Sequence, residues 1–442
     1  MKQVALALFL SFPASVLAGD DLPGVVSAEL SDLVQTYEDL HAHPELSTHE
    51  ERTAALVAEK LRKAGFTVTE HVGRYPSGTT AFGVVGVLKN GEGPTLLVRT
   101  ELDALPVEEK TGLRYQSLVK TKNDAGLDVP VMHACGHDLH MTTFIGTAEA
   151  LGHLKDRWHG TVLFVGQPAE ETIAGARAML ADGLYERFGR PTFAIALHDD
   201  SEIPAGQVGV VSGPLLASAT SVDVTIRGLG GHAARPETTK DPVVMAAEFV
   251  MAIQTIVSRQ TPPQEPAVVT VGSIHGGLKH NIIPDEVKLQ LSVRTFSEDV
   301  RKNIIAALDR TARGIALAGG VPEDRAPIVK ASEGERVPAT YNDPALAARL
   351  RPVFEGAFGK DNVLSPTPEM ASEDFGLFGL EGRKIPIFDL RLGAVDPAVW
   401  AESRKTGKPL PSLHSSLFAP LPEPAIRTGV VALTSAVFEL MK

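Results

Sequence analysis

Cysteine occurs once in 442 residues, at Cys135. An internal disulfide is therefore impossible, and packing must hold the fold. A surplus of positive charge is also missing: 42 Lys and Arg face 54 Asp and Glu, a formal net charge of −12. Nucleic acids and anionic membranes are poor partners for such a chain, because phosphate binding needs clustered cations. Low-complexity tracts and short-period repeats are absent too, which argues against fibrous and solenoid classes. Beyond the N-terminus, no run reads as long and apolar enough for a membrane span. What remains is a globular composition, 43% hydrophobic and 22% charged, in a chain too long for one ordinary core.

The N-terminus "MKQVALALFLSFPASVLAGDD" sets Lys2 before an apolar run from Val4 to Phe12 and ends it at Ala18. This pattern predicts a secretory signal, residues 1–18, cleaved after Ala18. The run is too short to cross a bilayer, so an exported protein, periplasmic or secreted, is expected. A lone cysteine in an oxidising compartment is a liability unless it is buried or ligated.

"STHEERTAALVAEKLRKAGF" predicts an amphipathic helix, with Ser47 and Glu50 at capping-box spacing and Gly65 at its end. Three short apolar runs, 95–102, 161–167 and 193–198, predict strands covered on both faces. Helical patterns such as 139–154 separate them, so a mainly parallel sheet in an α/β domain is expected. Near Gly213 the pattern changes. Residues 221–229 alternate apolar and polar, a long helix follows at 241–259, then strands at 267–274 and 286–296, a helix near 298–317 and a strand near 327–333. That order, βαββαβ, is the ferredoxin-like sandwich. The expected domains are a catalytic domain in two parts, 19–212 and 328–442, and an inserted α+β domain, 213–327.

Ligands bind at the carboxyl ends of strands in open α/β sheets. The first apolar run leads into Glu101 and Asp103, the second into Glu170 and Glu171, and the third ends at His198. "MHACGHDLH", Met132 to His140, adds Cys135 and His137 just before a helix. Thiolate, imidazole and carboxylate are the usual zinc donors, and a Gly-containing turn lets Cys135 and His137 reach one ion. Adjacent glutamates can divide the work, one as ligand and one as base. Each piece alone has an ordinary explanation: a surface histidine, a solvated helix start, an acidic loop. Together on one sheet edge they point to a metal site.

These motifs resemble those of the metal-dependent amidohydrolases in the aminoacylase and carboxypeptidase superfamily. The similarity is to the branch of hippurate hydrolase, N-acyl-amino-acid amidohydrolases and indole-acetyl-amino-acid hydrolases. It runs from "LHAHPELSTHEERTA" through "ELDALPVEEKTG", "MHACGHDLHMT", "QPAEE", "GGHAARPETTKDP", "HNIIPDEV", "SVRTF" and "MASEDFG" to "PSLHSSLFAP". The resemblance implies that Cys135, His137, Glu171, His198 and His414 bind a pair of divalent ions. It implies Glu170 as general base and Asp103 as the aspartate that orients a ligand. It implies that His232 reaches an active site, often that of a partner subunit, and that Asn281 and Arg294 bind substrate. Thiolate ligation favours zinc, with manganese, cobalt and nickel left open. The inserted domain is implied to serve as lid and dimerisation domain of a homodimer.

The implied reaction is hydrolysis of the amide bond of N-acyl amino acids, acetyl, benzoyl or other aromatic acyl. The alternatives are a dipeptidase or carboxypeptidase of the same superfamily, and a non-catalytic metal-binding protein. Keeping both Glu170 and Glu171 argues against the last, since a binder needs only the ligand. Three positions depart from the branch: Glu101 replaces an aspartate, "TIAGARAML" replaces a glycine-rich segment, and Ser416 replaces a proline. His41, His43, His133 and His140 receive no ligand role, and Glu373 and Asp374 are placed near the site without one.

Overall fold

Alternate residues of the apolar runs enter two different cores. Leu96, Val98, Val162 and Phe164 point one way, while Leu97, Leu163 and Val165 point the other. A strand packed on both faces needs apolar residues at every position, hence the unbroken runs. The structure is a computed structural model describing residues 21–380 and 383–442. The expected signal, 1–18, lies outside them.

The main sheet contains β1 (Thr67–Arg74), β2 (Thr80–Asn90), β3 (Thr95–Glu101), β4 (Gly160–Gln167) and β5 (Phe193–Pro204). The inserted sheet contains β6 (Ser218–Arg227), β7 (Ala267–His275), β8 (Glu286–Thr295) and β9 (Ile328–Val337). The main sheet is completed by β10 (Ile387–Val395) and two short strands, Val208–Gly209 and Val363–Leu364. Its order is β1-β2-β4-β3-β5-β10, then the two short strands. The centre, β4-β3-β5-β10, is parallel, and β1 and β2 add an antiparallel edge. Helices Leu22–Ala42, Glu51–Lys63, His137–His153 and Pro422–Leu440 cover one face. Gly175–Ala181 and the turns at Phe375 and Phe378 cover the other. The parallel strands thus end together on one edge.

The second sheet is antiparallel, ordered β7-β8-β6-β9. Helices Pro242–Thr255 and Glu298–Ala318 pack on one face, against Val222, Val224, Leu289 and Leu291. The fold class is the expected one, but the boundary at 327 is too early. β9 pairs with β6, so the insertion runs on to Val337. The chain leaves and re-enters through Gly213–Leu216, which pairs with Thr340–Asn342.

Contrary to the sequence expectation, one segment beyond the N-terminus does meet the length and hydropathy of a span. It is Pro242–Gln260, 19 residues with mean hydropathy 1.3. Its Met245, Phe249, Ile253 and Ile256 pack into the inserted core, which accounts for its apolar face.

Candidate metal centre

The helix His137–His153 is entered through Cys135 and Gly136. Gly136 has φ 74°, and a Cβ there would stand 2.2 Å from Asp199 Oδ2. Only glycine meets both conditions, and the turn it allows aims Cys135 and His137 at one point. Cys135 Sγ lies 3.7 Å from His198 Nε2 and 3.3 Å from His414 Nε2. His137 Nε2 lies 3.8 Å from Glu170 Oε2 and 4.0 Å from Glu171 Oε1. Glu171 Oε1 is 3.7 Å from His414 Nε2. The five expected ligands and the expected base therefore converge. His414 arrives from a distant loop, held by its N–H on the Ala134 carbonyl at 2.8 Å.

The imidazoles are set up as donors. Nδ1 of His137 donates to the Asp103 carbonyl at 2.8 Å, and Nδ1 of His198 to the Asp199 carbonyl at 2.8 Å. Both rings then present the Nε2 lone pair to the cluster. His137 Nε2, Glu171 Oε1 and Asp103 Oδ1 are buried and have no hydrogen-bond partner. Buried polar atoms without partners are costly, and two of these, on His137 and Glu171, belong to donor triplets that include the Cys135 thiol. Burial first, then Glu171 and Glu170, push the Cys135 thiol well up. Burial, then Glu373 and Glu171, push Glu170 well above the carboxylate range. Burial opposes charge on His137, yet Asp103, Glu101 and Glu171 raise it to about 10. Burial is the largest cause for Cys135 and Glu170, and the surrounding carboxylates act on all three groups as a negative site that favours cations would. The donor atoms of Cys135, His137 and His198 form one compact triplet, and those of Cys135, Glu171 and His414 another. The residues fit two divalent ions sharing Cys135.

A second polar layer lies beneath, and sequence reasoning left it without roles. Arg99 contacts Glu101 and reaches Glu373 Oε1 at 2.7 Å, Asp374 Oδ1 at 3.1 Å and Gln167 Oε1 at 2.9 Å. Glu101 Oε2 accepts from His140 Nδ1 at 3.0 Å, and His140 Nε2 meets the Asp199 N–H at 2.8 Å. The chain Arg99–Glu101–His140–Asp199 thus ends against His198. Glu101, His140 and Asp199 also form metal-like triplets with their neighbours, but they are already bound to one another. Signals existed in the sequence: an arginine inside a doubly buried strand must have partners, and His140 is one helical turn from His137.

Ser47 and Glu50 do not form the expected capping box. Ser47 Oγ donates to Asp103 Oδ2 at 2.6 Å, and Glu50 Oε1 accepts from Thr48 N and Ala169 N, each at 2.8 Å. Glu50 makes no cap bond to helix Glu51–Lys63; the Glu45 carboxylate accepts the first-turn N–H groups of Arg52 at 3.1 Å and Thr53 at 2.7 Å instead.

A cavity of about 570 Å³ opens on the cluster, lined by Glu170, Glu171, Arg294, Glu369, Arg391 and His414 among others. Arg294 donates to Met370 O at 3.0 Å and Ser372 Oγ at 2.8 Å. His232 and Asn281 do not line this cavity. They sit together on the inserted domain, where Ala233 N donates to Asn281 O at 3.2 Å, and both are exposed. A larger cavity of about 690 Å³, lined by Arg177, Arg301 and Arg336 among others, contains none of the metal donors.

Comparison with known proteins agrees with this geometry. Residues 97–402 match the family described as peptidase family M20/M25/M40. The chain is 36% identical over 359 residues to hippurate hydrolase of Campylobacter jejuni, spanning 79% of this chain and 86% of that one. It is 34% identical over 343 residues to N-acetyl-L-cysteine deacetylase of Bacillus subtilis, spanning 77% and 75%. Among solved structures, a dinuclear metal-binding M20 peptidase of Bacillus subtilis superimposes with TM-score 0.74 at 27% identity, over 94% and 99%.

Proposed function

From the premise that this chain belongs to peptidase family M20/M25/M40, we propose that it hydrolyses the amide bond of N-acyl amino acids with two divalent ions in the Cys135 cluster. As a family member it is a metal-dependent amidohydrolase. The observation that carries the finer reading is the convergence of Cys135, His137, Glu171, His198 and His414, with Glu170 beside them and outside both Cys135 triplets. Zinc suits the thiolate best.

Bound there, the ions would polarise the amide carbonyl and lower the pKa of attacking water. Glu170 takes a proton from the attacking water through Oε2, the oxygen that lies 3.8 Å from His137 Nε2. The same carboxyl then hands the proton to the leaving nitrogen. Asp103 keeps His137 in its donating tautomer through the backbone carbonyl. Arg294, on the cavity wall, holds the substrate carboxylate by charge-assisted hydrogen bonds.

His232 and Asn281 are exposed and do not line this cavity, so in this reading they enter the site of a second copy. Exposed Val243, Val244 and Met251 on helix Pro242–Thr255, and Ile274 on the edge strand β7, support pairing through the inserted domain. Mixing Glu170→Ala with His232→Ala subunits then restores activity; no restoration, with subunit exchange demonstrated, refutes the shared site. Export with cleavage after Ala18 is proposed from the leader sequence, and the mass of the mature protein tests it.

The deciding experiment is release of amino acid from N-acetyl, N-benzoyl and indole-acetyl amino acids and from dipeptides. It is run before and after chelation, with metals added back. Chelator-sensitive release that Glu170→Ala abolishes supports the reading. Release from dipeptides alone moves the function to a dipeptidase, and no release from folded, metal-loaded protein refutes the hydrolase.

A further inference from the structure

Three arginines are buried among the described residues: Arg99, Arg301 and Arg391. Arg99 is held by Glu101, Glu373 and Asp374, and Arg301 by Glu298. Arg391 is 4% exposed and makes no side-chain hydrogen bond or ion pair with a described residue. It lies on β10 opposite His198 on one side and Gly209 on the other. The pairing puts it at the carboxyl end of the sheet, and it lines the cavity that holds the metal donors.

Room has been made for its stem. A Cβ on Gly209 would meet Arg391 Cβ at 2.9 Å and Pro366 Cγ at 2.8 Å. Two acids that feel its charge, Asp200 and Asp389, form no ion pair with it. Asp200, which shares the cavity, accepts the Glu202 N–H at 2.7 Å, and Asp389 lies two residues back on the same strand face. Glu202 is turned towards Arg404 at 3.6 Å. A guanidinium always carries its charge, and its planar fork matches a carboxylate. Buried without a partner and open to a substrate cavity, it is a site for an anion.

We propose that Arg391 anchors a second substrate carboxylate, so that the preferred substrates are N-acyl amino acids with two carboxylates. Arg294 holds one and Arg391 the other. This rests on the N-acyl amino acid reading above. The second carboxylate belongs either to the amino-acid side chain or to the acyl group, and the two arms of the test separate these sources.

In the first arm, metal-loaded full-length enzyme is assayed on N-acetyl-glutamate against N-acetyl-glutamine. In the second, N-succinyl-leucine is set against N-butyryl-leucine. A charge-assisted contact from a buried guanidinium on the cavity wall predicts a kcat/KM ratio of about tenfold in one arm. Arg391→Met brings that ratio near one, chiefly through KM, and Arg391→Lys keeps part of it. Ratios near one in both arms of the wild type, or a ratio unchanged in folded, metal-replete Arg391→Met, overturn the inference. The wild-type ratio needs no variant, so a misfolded substitution does not shield the idea. If no amide is cleaved, the N-acyl reading fails separately. Calorimetric titration with glutarate and its monoamide then decides Arg391 alone. Tighter glutarate, weakened by Arg391→Lys and lost in Arg391→Met, supports the anchor, and equal affinities refute it.

Discussion

Ser47 Oγ donates to Asp103 Oδ2 across 2.6 Å. The same carboxylate oxygen accepts the Glu171 N–H at 3.0 Å, and the Asp103 backbone carbonyl receives His137 Nδ1. One serine therefore steadies the residue that orients one ligand and positions the backbone of another. Outer contacts of this kind affect metal affinity about 10- to 100-fold. Ser47→Ala is expected to weaken metal binding by about tenfold, read by chelator competition. The metal-free protein should lose only about 1 kcal/mol, the worth of one hydrogen bond. That loss with unchanged metal affinity would show that the bond serves only the fold.

Glu170 is close enough to His137 to act at the cluster, yet it belongs to neither compact donor triplet built on Cys135. Glu170→Gln keeps its size and removes its base. A fall in kcat of roughly 10²- to 10⁴-fold is expected, with metal content unchanged by elemental analysis. Loss of metal in this variant would make Glu170 a ligand instead of the base.

The main chemistry was legible because it lies at strand ends. Cys135, His137, Glu170, Glu171 and His198 follow short apolar runs or a Gly turn, and local pattern locates such places. His414 was different. It lies 279 residues from Cys135, and only resemblance to a family linked the two. Ser47 shows the limit of local rules: its spacing to Glu50 suits a cap, but a buried aspartate competes for the hydroxyl and wins. Arg99 and Glu101 looked like a strand and its polar end. The further Arg99 partners Glu373 and Asp374 come from a segment more than 270 residues away, and no periodicity encodes that. His232 and Asn281 carry no local signal beyond a turn, and the fold leaves them outside their own cavity.

Glu101 sits between Arg99 and His140, fully inside the protein. Removing it takes the carboxylate from buried His140, while Arg99 keeps Glu373 and Asp374. Glu101→Ala is therefore expected to destabilise metal-free protein by about 1–3 kcal/mol, measured by urea unfolding. It also frees His140, so the His198 side of the cluster should lose metal first. Unchanged stability would mean that His140 does not need the carboxylate.

Glu149, on helix His137–His153, offers a test of charge far from the chemistry. Burial, aided by Glu29 and Asp32 and opposed by Lys60 and Lys63, raises its pKa from 4.5 to about 7. The sign follows from proton counting. Below pH 4.5 both folded and unfolded states hold the proton, and the site costs nothing. Between 4.5 and 7 the unfolded chain releases it first, so stability falls as pH rises. Above pH 7 the loss is complete, and it is lessened because the side chain is only half-buried. Roughly 1–2 kcal/mol remains after solvent screening. Glu149→Gln never ionises, so it should melt higher than the wild type at pH 8, by a few degrees. That advantage should shrink steadily as the pH is lowered towards 5. An advantage constant across the range would assign the gain to packing, and none at pH 8 would show that Lys60 and Lys63 already neutralise the carboxylate.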